Sequence, residues 1–533
     1  MAEPQCPMPN ADSRNESQCP NAKNPWDITP KERAIFSIIV MAGAFMAILD
    51  TTVVDVIVPK LTGPLATDMY GVQWIITSYM VAAAIALLIT EWLIKRFGAK
   101  TIFVSGVALF TVASFLCGIS DSLEEIIIFR VIQGVGEALI MVTSHIMIFS
   151  YFPPEKQGLA MGIFGLGVSF APALGPTIGG YLAEYYNWRM VFFINVPVGL
   201  LLVVSGLIYL PKERFFENLR FNFVSFILLS FATIALLVML SRGQQLGWFN
   251  SIEIGALLFC TLIGFSLYAL SEIHSKNRLI DFSLFKNPAF ANGMMIYFFI
   301  LGFSMYQYFY LLPVYYEHIK MLPTLDAGIA VFAFAIFIGL FSPLAGIVSD
   351  IIGAKKTVAI AAFFYVTTSI LLLPTLNYYT PLHQAMLLTI PFGIGMGLFF
   401  APVTVMVLQN APGHKGELAI VLMDYFRFVG GSFGTALATN NMEYFKNLHF
   451  LRMEELQNIE YIDYFLHKMQ ESLGVSMDQV KAVFGNYESF MSYNYGFYNT
   501  FMHAGYWGIL GSLFVVLLFV KIPLKSKKLK EKS

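Results

Sequence analysis

Fourteen stretches of about 20 apolar residues, the length a helix needs to cross the hydrocarbon core of a bilayer, recur along this chain and constrain its fold more than any other feature. They run 34–58, 73–94, 101–119, 124–149, 158–183, 190–210, 221–240, 252–272, 290–316, 326–349, 357–376, 382–408, 417–440 and 498–520. Lipid offers no partner to a backbone amide or carbonyl, so each stretch is predicted to be a helix. With 57% hydrophobic and 13% charged residues over 533 positions, the chain reads as an all-α polytopic membrane protein. A net charge of −1 and the lack of a basic stripe exclude a nucleic-acid partner. The four cysteines, Cys6, Cys19, Cys117 and Cys260, have no metal-site spacing, and neither a metal nor a cofactor is expected.

An even number of spans puts both termini on one side. The Lys and Arg bias, including Lys521, Lys525, Lys527, Lys528, Lys530 and Lys532, makes that side cytoplasmic. Residues 1–33 read as a disordered cytoplasmic tail without a signal-peptide pattern, and 521–533 as a basic cytoplasmic tail. Between the last two stretches, 441–497 is predicted to be an exterior loop with amphipathic surface helices.

The fifth stretch concentrates helix breakers. Ala171, Gly175 and Gly179 recur every four residues and leave one helix face without bulk, while Pro176 and Gly180 interrupt the same seam. Pro176 frees a carbonyl that only a packed neighbour or a wet cavity can satisfy, so the seam is either a close helix contact with a kink or part of a moving element. Its spacing returns in Gly430, Gly434 and Ala438 of the thirteenth stretch. The loop Lys95, Arg96, Phe97, Gly98, Ala99, Lys100, Thr101 returns as Asp350, Ile351, Ile352, Gly353, Ala354, Lys355, Lys356, Thr357. Both echoes are displaced by eight stretches. Two six-helix halves, 34–210 and 290–520, are therefore expected around two inserted helices within 211–289, a parallel-repeat transporter plan.

Ionisable residues inside these stretches mark function, because charge at membrane depth is costly. Arg130, Gln133 and Glu137 share a helix face that Ser144 extends, with His145 beside it. Arg130 and Glu137 are about 10 Å apart along the axis, so contact between them needs a bridge. Asp50 and Asp55 point in different directions around the first helix. Glu417, Asp424 and Arg427 share a face of the thirteenth, where the last two can pair. Glu91 and Lys95, four apart, can pair at the end of the second.

From residue 35 to 199 the chain resembles the major facilitator superfamily, in particular its fourteen-span drug:proton antiporters of the EmrB/QacA type. The resemblance rests on LDTTVVDVIVP (49–59), RFGAK (96–100), RVIQGVGEAL (130–139), GPTIGG (175–180) and WRMVFFINVPVG (188–199), and continues through SRGQQLGWF (241–249), MGLFFAPVT (396–404) and FRFVGGSFGTA (426–436). It implies a major facilitator fold that exports hydrophobic or amphipathic drugs by proton antiport and is not an enzyme. By motif position, Asp50, Asp55, Arg130 and Glu137 would carry proton coupling. Gly175, Pro176, Gly179 and Gly180 would form the antiporter motif, and Glu91, Lys95, Arg96 and Gly98 the gate loop. Asp55 and Glu137 stand where the family has Asn and a small residue, and Glu91 and Lys95 where Gly and Asp are common. Asp424 and Arg427 form a second-half polar cluster. Tyr306, Gln307 and Gln133 are candidate substrate contacts. The resemblance also implies a periplasmic adaptor protein and an outer-membrane channel as partners. Alternatives are an exporter of an endogenous metabolite, siderophore or lipid, a membrane-embedded transferase, and a receptor or scaffold.

Overall fold

The computed structural model describes residues 29–67, 69–153, 156–211, 221–275, 277–411, 415–456 and 459–519. The expectations for most of the N-terminal tail, for the basic tail 521–533, for 212–220 and for the Asp55 side chain lie outside the described residues.

Helix α1 (Pro30–Leu61) starts where its sequence allows it to. The Thr29 hydroxyl accepts from the Glu32 amide at 3.3 Å, the Thr29 amide donates to the Glu32 carboxylate at 3.0 Å, and Pro30 has no amide to leave unpaired. It is followed by α2 (Met69–Phe97), α3 (Ala99–Ile119), α4 (Leu123–Ser150), α5 (Gln157–Tyr185) and α6 (Met190–Tyr209). Next come α7 (Phe223–Arg242) and α8 (Ile252–His274). Then follow α9 (Pro288–Ile319), α10 (Thr324–Ile352), α11 (Ala354–Thr375), α12 (Leu382–Gln409), α13 (Gly416–Leu456), α14 (Ile459–Leu473) and α15 (Met477–Leu517).

Among the described residues, twelve helices are long and apolar enough to cross a membrane, and α5, bent by 40° between Pro172 and Leu174, is a thirteenth when taken as one span. The sequence count of fourteen adds α13, whose apolar part carries Asp424 and Arg427. We call the end of the bundle where α1 begins the terminal face and the other end the far face.

The two echoed loops fold alike. Gly98 (φ 83°) joins α2 to α3 and Gly353 (φ 92°) joins α10 to α11, a left-handed turn that a residue with a Cβ adopts only under strain. The lysine two positions on does the same work in each. Lys100 donates to the carbonyls of Leu207 and Leu210 at 2.8 and 2.6 Å, and Lys355 to that of Leu518 at 3.3 Å, satisfying carbonyls at the ends of α6 and α15.

Helices α5 and α10 run antiparallel against each other from one face to the other. At the terminal face the backbones of Gly158 and Gly346 touch, and the Ser342 hydroxyl donates to the Gly162 carbonyl at 2.9 Å. Towards the far face, a Cβ on Gly328 would lie 2.6 Å from Thr177, and one on Gly180 would lie 3.1 Å from Thr324. The other side of the α5 seam packs on α1, Gly175 against Thr52 and Gly179 against Val53. The second glycine stripe behaves similarly: Gly430 and Gly434 of α13 abut Phe298 and Phe303 of α9, where α9 widens to a π-helix over Tyr297–Ser304. The helices α1–α6 and α9–α13 with α15 are called the two helix sets below; α7, expected as an inserted helix, touches both, through Thr77 and Ser241 (2.5 Å) to α2 and through Thr233 and Tyr425 (2.6 Å) to α13.

Residues 441–497, expected as an exterior loop with amphipathic surface helices, are largely helical among the described residues, mostly as continuations of the membrane helices. Helices α13 and α15 each have 41 residues, about 60 Å of helix, against a hydrocarbon core of about 30 Å. They therefore project beyond the far face as a pair, fastened by Asn499 to His449 at 2.7 Å, and α14 lies on them with Phe465 against Phe484.

Candidate functional site

Five side chains from α2, α3, α4 and α6 gather around Asp50 of α1. Its carboxylate accepts from Arg130 Nη1 at 2.5 Å, from Gln133 Nε2 at 3.0 Å and from Asn195 Nδ2 at 2.6 Å. Arg130 Nη1 also donates to Gln133 Oε1 at 2.8 Å, its Nε donates to the Ile75 carbonyl at 3.1 Å, and its guanidinium lies 3.8 Å from the centre of the Tyr79 ring. Gln133 Nε2 further donates to the Ser114 hydroxyl at 2.7 Å. Asp50 and Arg130 are 1% and 0% exposed, so the pair is sealed from both faces and from lipid. A buried ion pair survives only with such surrounding hydrogen bonds, because its desolvation cost rivals its attraction.

The sequence reading anticipated Asp50 and Arg130 as buried charges but not as each other's partner. It placed Gln133 as a substrate contact, whereas the fold engages both ends of its amide in the Asp50 network. It missed Asn195, Ser114 and Tyr79. Asn195 lies in the quoted FFINVPVG segment, where a lone amide in an apolar run was the available signal.

Glu137, two turns along α4 from Arg130, joins a different group. It is 1% exposed and lies within electrostatic range of Tyr79, whose hydroxyl donates to the Ala47 carbonyl at 3.3 Å, and of Arg427 on α13. On the next turns of α4, His145 Nδ1 sits 3.4 Å from Asp424 Oδ2, and Asp424 Oδ1 lies 3.7 Å from Arg427 Nη2. His145 thus meets the second set of helices. It also stacks on Phe164 of α5 with ring centres 4.9 Å apart. Tyr306 packs on Gly431 beside Arg427, while Gln307 is buried and donates to Phe303 of its own helix at 3.3 Å.

At the terminal face two contacts join the helix sets. Lys95 pairs with Glu91 at 2.7 Å and approaches Glu417 at the start of α13 at 3.9 Å, while Arg96 lies over Trp92. On the α10 side, the Asp350 carboxylate accepts from the Leu159 amide at 3.3 Å at the start of α5, where the helix leaves amides unpaired and its dipole favours a negative charge. Asp350→Ala is expected to remove about 1 kcal/mol from this closed arrangement, about fivefold in its population. Thiol labelling of a cysteine placed at Leu159 should rise accordingly, and unchanged labelling would show that the contact does not hold the face shut.

The Major Facilitator Superfamily family model matches residues 40–435. The multidrug export protein EmrB of Haemophilus influenzae is 31% identical over 485 residues, 90% of this chain and 94% of its own length. The fatty acid resistance protein FarB of Neisseria gonorrhoeae is 30% identical over 452 residues, 83% of this chain and 88% of its own. Among solved structures, the proton:xylose symporter XylE superposes with a TM-score of 0.59 at 15% identity, covering 91% of this chain and 96% of XylE, a likeness of fold.

Proposed function

Since this chain belongs to the major facilitator superfamily, as a multi-pass membrane transporter of the EmrB type, we propose that it exports hydrophobic or amphipathic compounds, drugs among them, in exchange for protons. The membrane is an inner membrane, and both termini, with the terminal face, are cytoplasmic. The observation that carries the reading is the sealed Asp50–Arg130 pair.

Coupling follows from what Asp50 is attached to. Ionised, it is held by Arg130 and Asn195 and ties α1 to α4 and α6. A proton on Asp50 cancels the ion pair and loosens that tie. Thr52 and Val53, on the next turn of α1, are the residues against which Gly175 and Gly179 of α5 pack, and α5 is the helix that meets α10 across the bundle. A change in the protonation of Asp50 thereby biases the seam on which the two helix sets rock, so that opening to one side or the other depends on the proton. Pro176 and the four-residue glycine spacing give that seam a flat, kinked surface. Lys95, Glu91 and Asp350 act as latches of the cytoplasmic face.

A second reading, export of an endogenous amphipath such as a fatty acid, is supported by the similarity to FarB. The projecting α13 and α15 give a periplasmic adaptor, and through it an outer-membrane channel, a surface on which to dock. No catalytic role is proposed.

In proteoliposomes the protein is expected to move rhodamine 6G uphill only under an imposed pH gradient, and a protonophore should stop it. Dye movement indifferent to the gradient would contradict proton coupling.

A further inference from the structure

The interface between the helix sets holds a concentration of idle hydrogen-bonding atoms. Glu137 Oε2, His145 Nε2, Asp424 Oδ1, and Arg427 Nε and Nη2 are all buried without a hydrogen-bond partner. Their residues are at most 2% exposed, and they come from α4 on one side and α13 on the other. Buried polar groups are ordinarily satisfied, because each one left unmade costs about 1–3 kcal/mol. In the Asp50 network of the same bundle both carboxylate oxygens are bonded, and so is each end of Gln133, leaving Arg130 Nη2 as its single idle atom. The contrast is between an ion pair closed at 2.5 Å and a cluster with five idle atoms, in which the closest pairings, 3.4 Å for His145 to Asp424 and 3.7 Å for Asp424 to Arg427, are loose. Aromatic rings surround the loose cluster. Phe164 stacks on His145, Phe400 lies 6.0 Å from it, and Tyr297 and Tyr306 stand within electrostatic range of Arg427.

We infer that this cluster is the head-group site for the exported compound, and that it selects amphoteric aromatic molecules, those carrying an anionic oxygen group together with a cationic or N–H donor group. The inference rests on the export reading and specifies its cargo. When the helix sets part, Arg427 presents its free Nε and Nη2 to an anionic oxygen, a geometry that suits a carboxylate with two acceptors. Glu137 presents its free oxygen to the donor end from the opposite set. The rings of Phe164, Tyr297, Tyr306 and Phe400 take the flat body between them by stacking. Asp424 lies beside Arg427, so an anion that lacks a donor meets repulsion from two carboxylates, and a cation without an acceptor leaves Arg427 unanswered. A molecule with both groups satisfies both walls. Because the walls belong to different helix sets, such a cargo also replaces the His145–Asp424 contact as the link between them.

Three dyes with closely similar ring systems separate these cases: tetramethylrhodamine, which has a free carboxylate and a cationic ring system, its methyl ester, which is a cation, and fluorescein, which is an anion. Binding to the purified full chain in detergent, read by fluorescence polarisation, is expected to be about tenfold tighter for tetramethylrhodamine than for either of the others. Arg427→Gln should erase the advantage over the ester, and Glu137→Gln the advantage over fluorescein, each in protein that remains monodisperse. The wild-type ranking tests the inference even where a variant fails to fold. Equal binding of the three dyes, or binding of none, overturns the amphoteric site. Rhodamine 6G, a cationic ester like the second dye, is expected to be a weaker cargo than tetramethylrhodamine, and its gradient-driven movement decides separately whether the export reading stands.

Discussion

Replacing Arg130 by methionine is expected to abolish gradient-driven export and to destabilise the folded bundle by about 3–5 kcal/mol, the cost of leaving a buried charge without its partner. The partner is Asp50, bonded to Arg130 Nη1 at 2.5 Å and closed off from both faces. Combining Arg130→Met with Asp50→Leu removes both charges and is expected to recover most of that stability, since apolar replacement of a buried pair is often neutral or better. Export should not recover, because Asp50, the group to which the proton exchange is assigned, is gone. Thermal unfolding in detergent and pH-driven dye transport, measured on the single and double variants, read the two effects apart. If the double variant transported with a gradient, coupling would have to reside elsewhere in the bundle.

Gly346→Leu should act on the other part of the cycle. The backbones of Gly346 and Gly158 touch at the terminal face, and a Cβ on Gly158 would in turn overlap the Asp350 carboxylate, so no rotamer change makes room for a leucine. The contact lies between α5 and α10, outside the packing within either helix set, and both sets should fold. Overpacking costs about 1–3 kcal/mol and here falls on the state closed at this face alone. The population of that state should drop about 5- to 150-fold. Thiol labelling at the terminal face should rise and export should fall by about tenfold or more, with little change in thermal stability. Retained export would show that this face need not close so tightly.

The class of fold is legible in the sequence because lipid forces a simple code: apolar stretches become helices, and charges inside them stand out. Asp50, Arg130, Glu137, Asp424 and Arg427 are visible for that reason, and all five are buried. The repeat is legible because a left-handed turn demands glycine, at Gly98 and again at Gly353. What the sequence hides is pairing through space. Asp50 and Arg130 are 80 residues apart, and nothing local distinguishes Asp50 from Glu137 as the partner of Arg130. Asn195 and Ser114 are ordinary polar residues until the fold aims them at Asp50. His145 shows no partner in the sequence because Asp424, which it meets, is 279 positions away. The projecting ends of α13 and α15 read in sequence as an exterior stretch with surface helices, and that they continue the membrane helices is hidden because their exposed surfaces are polar. The π-helical widening of α9 at Tyr297–Ser304 answers to the backbone of α13, where Gly430 lets the two helices meet, and has no signature of its own.

The central claim is that Asp50 exchanges a proton as the bundle changes state, and proton release on dye binding tests it most directly. In weakly buffered detergent solution with a pH indicator, adding rhodamine 6G to the wild-type protein should release protons, and the Asp50→Asn variant should bind the dye and release none. Release from Asp50→Asn equal to that of the wild type would contradict the claim.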